Sequence, residues 1–333
     1  MIQQSFGRKK ALSKMALGGV AGLALCTLVS LPAAAQTYPT RPVRILVPYS
    51  PGSAVDLVPR MLAEKLTAEL GHAVVVENKT GGLGIPAISD VMNNPADGHT
   101  VLAADASHWA ITPAMQTVPY DFMRDLAPVT LTYSAGLIIF TGAGSGINSM
   151  QDLVTQAKAK PGQLNYGTAA LLLQLGIEVL KDSLGLDIKP IRYRGAGEVT
   201  ESILRNDTQL AMAGLPAVLA QAKAGKLKLL AVTIPTRLKQ LPDVPTVNEL
   251  TGLKDYSFPG QQALVVKTGT PRSSIDKLGA AVRKVATVPE FAAKVTELSA
   301  ADLTPTTPEQ TADQLRGDIV KFTRAVKFSG IKS

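Results

Sequence analysis

Pro48-Tyr49-Ser50-Pro51-Gly52-Ser53-Ala54-Val55-Asp56 is the stretch from which the fold class can be read. It overlaps the end of an apolar run of strand length, Val43-Arg44-Ile45-Leu46-Val47-Pro48. After it, Leu57, Met61, Leu62, Leu66 and Leu70 recur at helical spacing, and Gly71 stands where a helix should stop. Strand, glycine-containing turn and helix thus succeed one another. The same alternation continues along the chain. Strands are expected at 74–77, 100–104, 137–140, 164–167, 188–193, 209–213, 227–232 and 261–266. Helices are expected at 86–92, 149–160, 171–184, 216–224, 271–286, 289–298 and 308–325, with Ser149 to Asp152 opening one of them as a capping box. This pattern implies an α/β protein with mainly parallel sheet covered on both faces, and at this length two sheets in two domains.

The first 35 residues read as an export leader. Arg8, Lys9, Lys10 and Lys14 precede an apolar run from Met15 to Leu31, which ends in Pro32-Ala33-Ala34-Ala35-Gln36. Small residues at the −3 and −1 positions put cleavage after Ala35. Gly18, Gly19, Gly22 and Ser30 interrupt the run, which is also shorter than the ~20 apolar residues of a spanning helix. The sole cysteine, Cys26, lies inside the leader behind Leu25, so no lipoprotein signal is formed and residues 36–333 hold no thiol. Disulfides, thiolate metal sites and a cysteine nucleophile are thereby excluded from that part. Its 30 basic and 26 acidic residues leave +4, too mild for nucleic acid and compatible with an anionic ligand.

Chemistry concentrates at expected strand ends. In the 48–56 turn, backbone N–H groups and the positive end of a helix can hold a carboxylate. Ser53 and Asp56 also have the spacing of a plain capping box, so both readings stay open. Gly81-Gly82-Leu83-Gly84-Ile85-Pro86-Ala87 matches G-x-G-x-x-A, but Pro86 falls in the helix start and no acidic residue ends a second strand at the required distance. Gly142-Ala143-Gly144-Ser145-Gly146 is neither a phosphate loop nor a nucleophile elbow. His72, His99 and His108 lack metal spacing. Ser107-His108-Trp109 follows a strand; Trp109, the only tryptophan, suits a ligand wall or a core equally. Arg192-Tyr193-Arg194-Gly195 closes another strand, where Arg192 can pair with a carboxylate or stand solvated at a rim.

The residues taken together resemble the substrate-binding receptors of tripartite tricarboxylate transporters, the Bug family. The resemblance rests on Tyr38-Pro39-Thr40-Arg41-Pro42-Val43-Arg44, the 48–56 turn, Val75-Val76-Glu77-Asn78-Lys79 and Asp97-Gly98-His99-Thr100. It continues in Val118-Pro119-Tyr120-Asp121, residues 157–166, Ala224-Gly225-Lys226-Leu227-Lys228, residues 241–247 and Thr268-Gly269-Thr270-Pro271. It implies a type II periplasmic-binding-protein fold: two mainly parallel-sheet lobes with the ligand between them. Lobe one would be 36–138 plus 258–333 and lobe two 139–257. It further implies a periplasmic, monomeric, non-enzymatic receptor without cofactor, serving membrane permease subunits and holding small carboxylates on backbone amides of one loop per lobe. Here those loops are Tyr49 to Asp56 and the segment beginning Gly167-Thr168-Ala169-Ala170.

Several positions depart from the family pattern. Thr168-Ala169-Ala170-Leu171-Leu172-Leu173 replaces a polar, glycine-rich loop. Trp109 stands for His, Arg192 for Pro, Ser53 for Gly, and Ala213-Gly214-Leu215 for Phe-Asp-Asn. The expected ligand is therefore a carboxylate with an apolar or aromatic body. The candidate ligand residues are Tyr49, Ser50, Ser53, Ala54 and Asp56, then Ser107, His108 and Trp109, then Thr168, Ala169 and Ala170, and finally Arg192, Tyr193 and Gly214. A periplasmic sensor for a signalling kinase and a secreted α/β hydrolase are the competing readings; the hydrolase lacks its nucleophile elbow.

Overall fold

In the computed structural model, residues 38–299 and 301–331 are described. The expected leader and its cleavage point lie outside these residues. The chain runs β1 (Val43–Val47), α1 (Ala54–Leu70), β2 (Val74–Asn78), α2 (Ile85–Asn93), β3 (Thr100–Ala104), α3 (Thr112–Met115), α4 (Phe122–Asp125) and β4 (Leu126–Gly142). It continues with α5 (Met150–Ala159), β5 (Leu164–Thr168), α6 (Leu171–Leu184), β6 (Ile188–Arg192), α7 (Ala196–Leu204), β7 (Leu210–Gly214), α8 (Leu215–Lys223) and β8 (Leu227–Val232). Then come α9 (Val247–Thr251), β9 (Pro259–Lys267), α10 (Arg272–Ala286), α11 (Pro289–Ser299), β10 (Ala301–Leu303) and α12 (Pro308–Ser329). A π-helical turn, Ser107–Ile111, joins β3 to α3.

The strand order is β2-β1-β3-β9-β4-β7-β5-β6, with β10 and β8 also pairing β4. Both flanks are parallel: β1 with β2 and β3, and β5 with β6 and β7. The middle is antiparallel, around β9 and β4. In β4, Leu126 to Gly136 face β9, whereas Leu137 to Phe140 face β7. One 17-residue strand thus belongs to both halves of the sheet.

Only 137–140 of this strand was expected, because Pro128 argues against a central strand. The ladder takes Pro128 at a register shift, between Pro128 and Thr130, where a bulge needs no proline N–H. Buried threonines in β4 also masked its apolar pattern. Thr130 Oγ1 donates to Thr306 O at 2.9 Å, and Thr132 Oγ1 to Gln262 O at 3.1 Å, so each hydroxyl is satisfied within the core.

Alternation sets the layers. Ile45, Val47, Val101, Ala103, Leu264 and Val266 point to one side, where α1 and α10 supply Leu62, Leu66, Leu278 and Val282. Leu46, Leu102, Ala104 and Val265 point to the other, onto Ile88 of α2 and Leu315 and Phe322 of α12. With both faces covered, β1 reads as a nearly unbroken apolar run. Gly71 caps α1 at φ 70°, as its position implied. At α5 the Ser149 side chain accepts from Asp152 N, but Asp152 reaches back to Asn148 N instead of Ser149 N, so only half of the expected box forms. The smaller helices α7 and α9 are not announced by strong periodicity; α7 packs Val199 and Ile203 onto the distal half.

Gly142, the last residue of β4, is held against a neighbouring backbone: a Cβ there would lie 2.6 Å from Ile203 O of α7. Gly142→Ala should lower the unfolding free energy by about 1–3 kcal/mol, the usual cost of overpacking. Urea denaturation of the two proteins measures this directly.

Candidate functional site

The C-terminal ends of parallel strands from both flanks of the sheet converge on one cavity of about 300 Å³. Tyr49 and Ser50 after β1, and Ser107 and His108 after β3, form one wall. Thr168, which ends β5, with Ala169 and Ala170, and Arg192, which ends β6, with Tyr193, form the other. Strand ends of this kind expose the first N–H groups of the following helix, which have no intrahelical acceptor. Nine of the candidate residues therefore line the cavity: six read from strand-end position or the β1 turn, and Thr168, Ala169 and Ala170 from the family resemblance.

The β1 turn is organised from beneath. Asp56 is fully buried; its Oδ2 accepts from Gly52 N at 2.8 Å and from Arg60 Nε at 2.7 Å, and its Oδ1 accepts from Asn78 Nδ2 at 2.8 Å. These three donors outweigh burial and hold the Asp56 carboxyl below its usual range. Asp56 is thus a brace for the loop and does not line the cavity. Ser53, the N-cap of α1, makes no side-chain cap, so the expected Ser53–Asp56 box is replaced by the Gly52–Asp56 bond. Ser53 Oγ is buried without a protein partner. Ala54 opens α1.

On the β3 side a buried carboxylate that the sequence reading did not select, Asp105, organises the wall. Its Oδ1 accepts from Ser107 N at 2.9 Å and lies 2.9 Å from His108 Nδ1, while Tyr49 Oη donates to its Oδ2. Burial acts to raise the Asp105 carboxyl, but His108, Tyr49 and the Ser107 N–H together hold it below the usual value. The Tyr49 hydroxyl is pushed well up, first by burial and then by Asp105, and stays protonated. The Tyr49 ring meets the His108 ring edge-on at 5.6 Å between centroids.

His108 is locked in place by a glycine turn. Gly81, Gly82, Leu83 and Gly84 all have positive φ, from 53° to 87°. A Cβ on Gly84 would collide with the His108 imidazole, and Thr80, Gly81, Leu83 and Gly84 line the cavity. Set aside as a dinucleotide fingerprint, the glycine run instead permits close approach to a histidine. Its signal in the sequence was the density of glycine before Pro86.

Trp109 does not reach the cavity. Only 1% exposed, it packs edge-on against Phe122 at 6.1 Å and lies in the core under α12. The π-helical turn that presents His108 to the cavity rotates the next residue inward. The core reading of Trp109 therefore replaces the ligand-wall reading. Gly214, the N-cap of α8, also stands off the cavity. Lining residues not among the candidates are Pro48, Thr80, Gly81, Leu83, Gly84, Thr112, Gln174 and Arg194, while Leu171 opens the leucine run expected beside the ligand body. Gln174, 5% exposed, sits on the first turn of α6. Arg194 is tied to Glu198 at 2.8 Å and Arg192 is exposed, so cationic side chains rim the distal wall. Among the described residues no cluster of three His, Cys, Asp or Glu is placed to hold a metal, and no helix is long and apolar enough to cross a membrane.

Residues 58–326 match the family model described as tripartite tricarboxylate transporter family receptor. The chain belongs to this receptor family. BugT of Bordetella pertussis is 30% identical over 320 residues, covering 94% of this chain and 97% of BugT. Among solved structures, an R. palustris protein with adipate is 26% identical with a TM-score of 0.82, covering 89% of this chain and 99% of that one. The periplasmic binding protein BugD is 25% identical at a TM-score of 0.79, with the same coverage. The receptor therefore has the two-lobed type II periplasmic-binding fold, and it is a solute-binding protein of the Bug type.

Asp105 carries a consequence for acid stability. A carboxyl lowered by folding contributes stability above its unfolded value, about 3.9, and loses it as pH falls through the lower folded value. Asp105→Asn leaves one of three donors facing an amide N–H and should cost about 1–3 kcal/mol at pH 7. Its stability should then fall less steeply than that of the wild type below about pH 4. Denaturant melts at pH 7, 4 and 3 compare the two slopes.

Proposed function

We propose that this receptor captures a small organic carboxylate with an apolar body in the periplasm and delivers it to the membrane subunits of a tripartite tricarboxylate-type transporter. The observation that carries the proposal is the convergence of the β1 and β5 turns, one from each flank of the sheet, on a single cavity rimmed by Arg192. Backbone amides of the two turns, with Arg192, would take the carboxylate. Leu83, Leu171, Ala169 and Ala170 would face the body, in place of Trp109. The volume, about 300 Å³, lies at the small end of ligand pockets and suits a compact acid. The relative solved with adipate supports a carboxylate ligand.

The lobes of this reading are 36–138 plus 258–333 and 139–257, with the leader 1–35 removed and a monomer acting by binding, not catalysis. Support comes from β4, whose pairing partner changes between Gly136 and Leu137, and from β9, which begins at Pro259. Ligand binding between lobes hinged there would alter their closure, the form in which a receptor is read by a membrane partner.

The test is a thermal-shift and calorimetric titration against adipate, benzoate, longer-chain monocarboxylates, citrate and aspartate. Acids with apolar bodies should bind, and Arg192→Ala should weaken them about 10- to 100-fold, the worth of a charged hydrogen bond. Tight citrate binding with no response to the apolar-bodied acids would refute the ligand class.

A further inference from the structure

Directly behind the cavity wall, where α12 packs on the Ser107–Ile111 turn, the core holds two complementary polar groups. Trp109 Nε1 is a buried donor without a protein acceptor, and Asp318 Oδ2 of α12 is a buried acceptor without a protein donor. Trp109 is 1% and Asp318 6% exposed. The indole lies near enough to draw the Asp318 carboxyl downward, although the pair is not in hydrogen-bond geometry. Each such group left unpaired is costly in a low-dielectric interior, so a small movement of α12 against the Ser107–Ile111 turn that joined them would be favoured. That turn is π-helical, a geometry with an extra residue to absorb such a movement, and it bears Ser107 and His108 in the cavity wall.

We propose that Asp318 is a positioning residue for the ligand site: its carboxylate engages the Trp109 indole N–H and thereby sets the Ser107–Ile111 turn, and with it His108, in the cavity wall. The role rests on the cavity being the ligand site, but the contact itself does not require the ligand to be known.

The surroundings of Asp318 make the contact dependent on proton binding. Gln314 Nε2 donates to Asp318 Oδ1 at 3.1 Å. Lys321, on the same helix, is the charged group whose field reaches the carboxyl; its own Nζ donates to Ser257 O and lies over the rings of Phe258 and Phe322 at 5.6 and 5.2 Å. Arg272 of α10 pairs with Glu309 at the start of α12, at 2.6 Å and away from Asp318, and the other charged groups against the helix have partners of their own. Glu178 of α6 pairs with Lys181 and Tyr166, and Arg283 of α10 donates to Thr306 O at 3.1 Å. Tyr133 of β4 feels Asp105. Burial dominates and raises Asp318 to about 6, against the smaller opposing pulls of Lys321, Gln314 and Trp109. Above that pH the carboxylate is an acceptor for the indole; below it the carboxyl carries a proton and the contact loosens. Because folding raises this group, its charged form opposes folding at neutral pH, so the neutral variant Asp318→Asn is expected to fold.

Trp109 is the sole tryptophan, so its fluorescence comes from the residue in this contact, and the Asp318→Asn protein separates the contact from the rest of the indole's surroundings. Emission of the protein, of Asp318→Asn and of Glu178→Gln is followed from pH 5 to 8, with circular dichroism confirming the fold at each pH. The wild type and Glu178→Gln should each show a one-proton transition centred near pH 6, and Asp318→Asn none. Hydrogen exchange at pH 7.5 supplies the readout at the cavity wall: amides of residues 107–112 should exchange several-fold faster in Asp318→Asn and in Trp109→Phe, with β2 amides unchanged. A transition that survives in Asp318→Asn, a flat wild-type curve, or unaltered exchange at 107–112 overturns the proposal. Failure of every carboxylate in the binding panel would instead strike the functional reading and leave these two measurements valid.

Discussion

A single strand, β4, holds the molecule to its function. Its first eleven residues pair with β9 and its last six with β7 and β8, so its backbone hydrogen bonds are divided between two halves of the sheet. A strand that must satisfy its N–H and C=O groups on both halves ties them together, and its partner changes at one point. Gly136 stands at that point, where a Cβ would meet Leu238, Ile234 and Val232 at 2.9–3.1 Å. The parallel flanks then present the ends of β1 and β3 to the ends of β5 and β6, and the cavity follows from this arrangement.

The cavity wall combines rigidity and charge in different layers. Buried carboxylates do not line the cavity; Asp56 and Asp105 sit beneath the loops and take up backbone and side-chain donors. Each is compensated by several hydrogen bonds, the condition under which a buried charge is tolerated. Cationic and neutral donors remain at the surface of the cavity, with Arg192 on one wall and His108 on the other. An anion entering the cavity would meet donors, while the negative charges that position those donors are withdrawn into the protein.

Part of this design was legible from residue order. Strand–turn–helix periodicity placed most elements to within one or two residues, because apolar spacing reports directly on which side of a strand or helix is buried. The exceptions have local causes. In β4, Pro128 and three buried threonines conceal a central strand, two of whose hydroxyls find partners in distant residues, Thr306 and Gln262. Asp105 was overlooked because an acidic residue after a strand ordinarily reads as solvated, and only Tyr49, 56 residues away, and the Ser107 and His108 groups together give it a buried role.

The sequence by itself determined the α/β alternation, the turns that carry the site and the membership of the receptor family, since each depends on short-range order along the chain. Tertiary structure alone decided which atoms of those turns face the cavity. The turn at Tyr49 to Asp56 faces it with Tyr49 and Ser50, while Asp56 braces it from below. Trp109, one residue beyond a cavity residue, points into the core because the π-helical turn rotates it there and α12 covers it. Neighbours in sequence can lie on opposite sides of a wall, and which side each takes depends on packing partners hundreds of residues away.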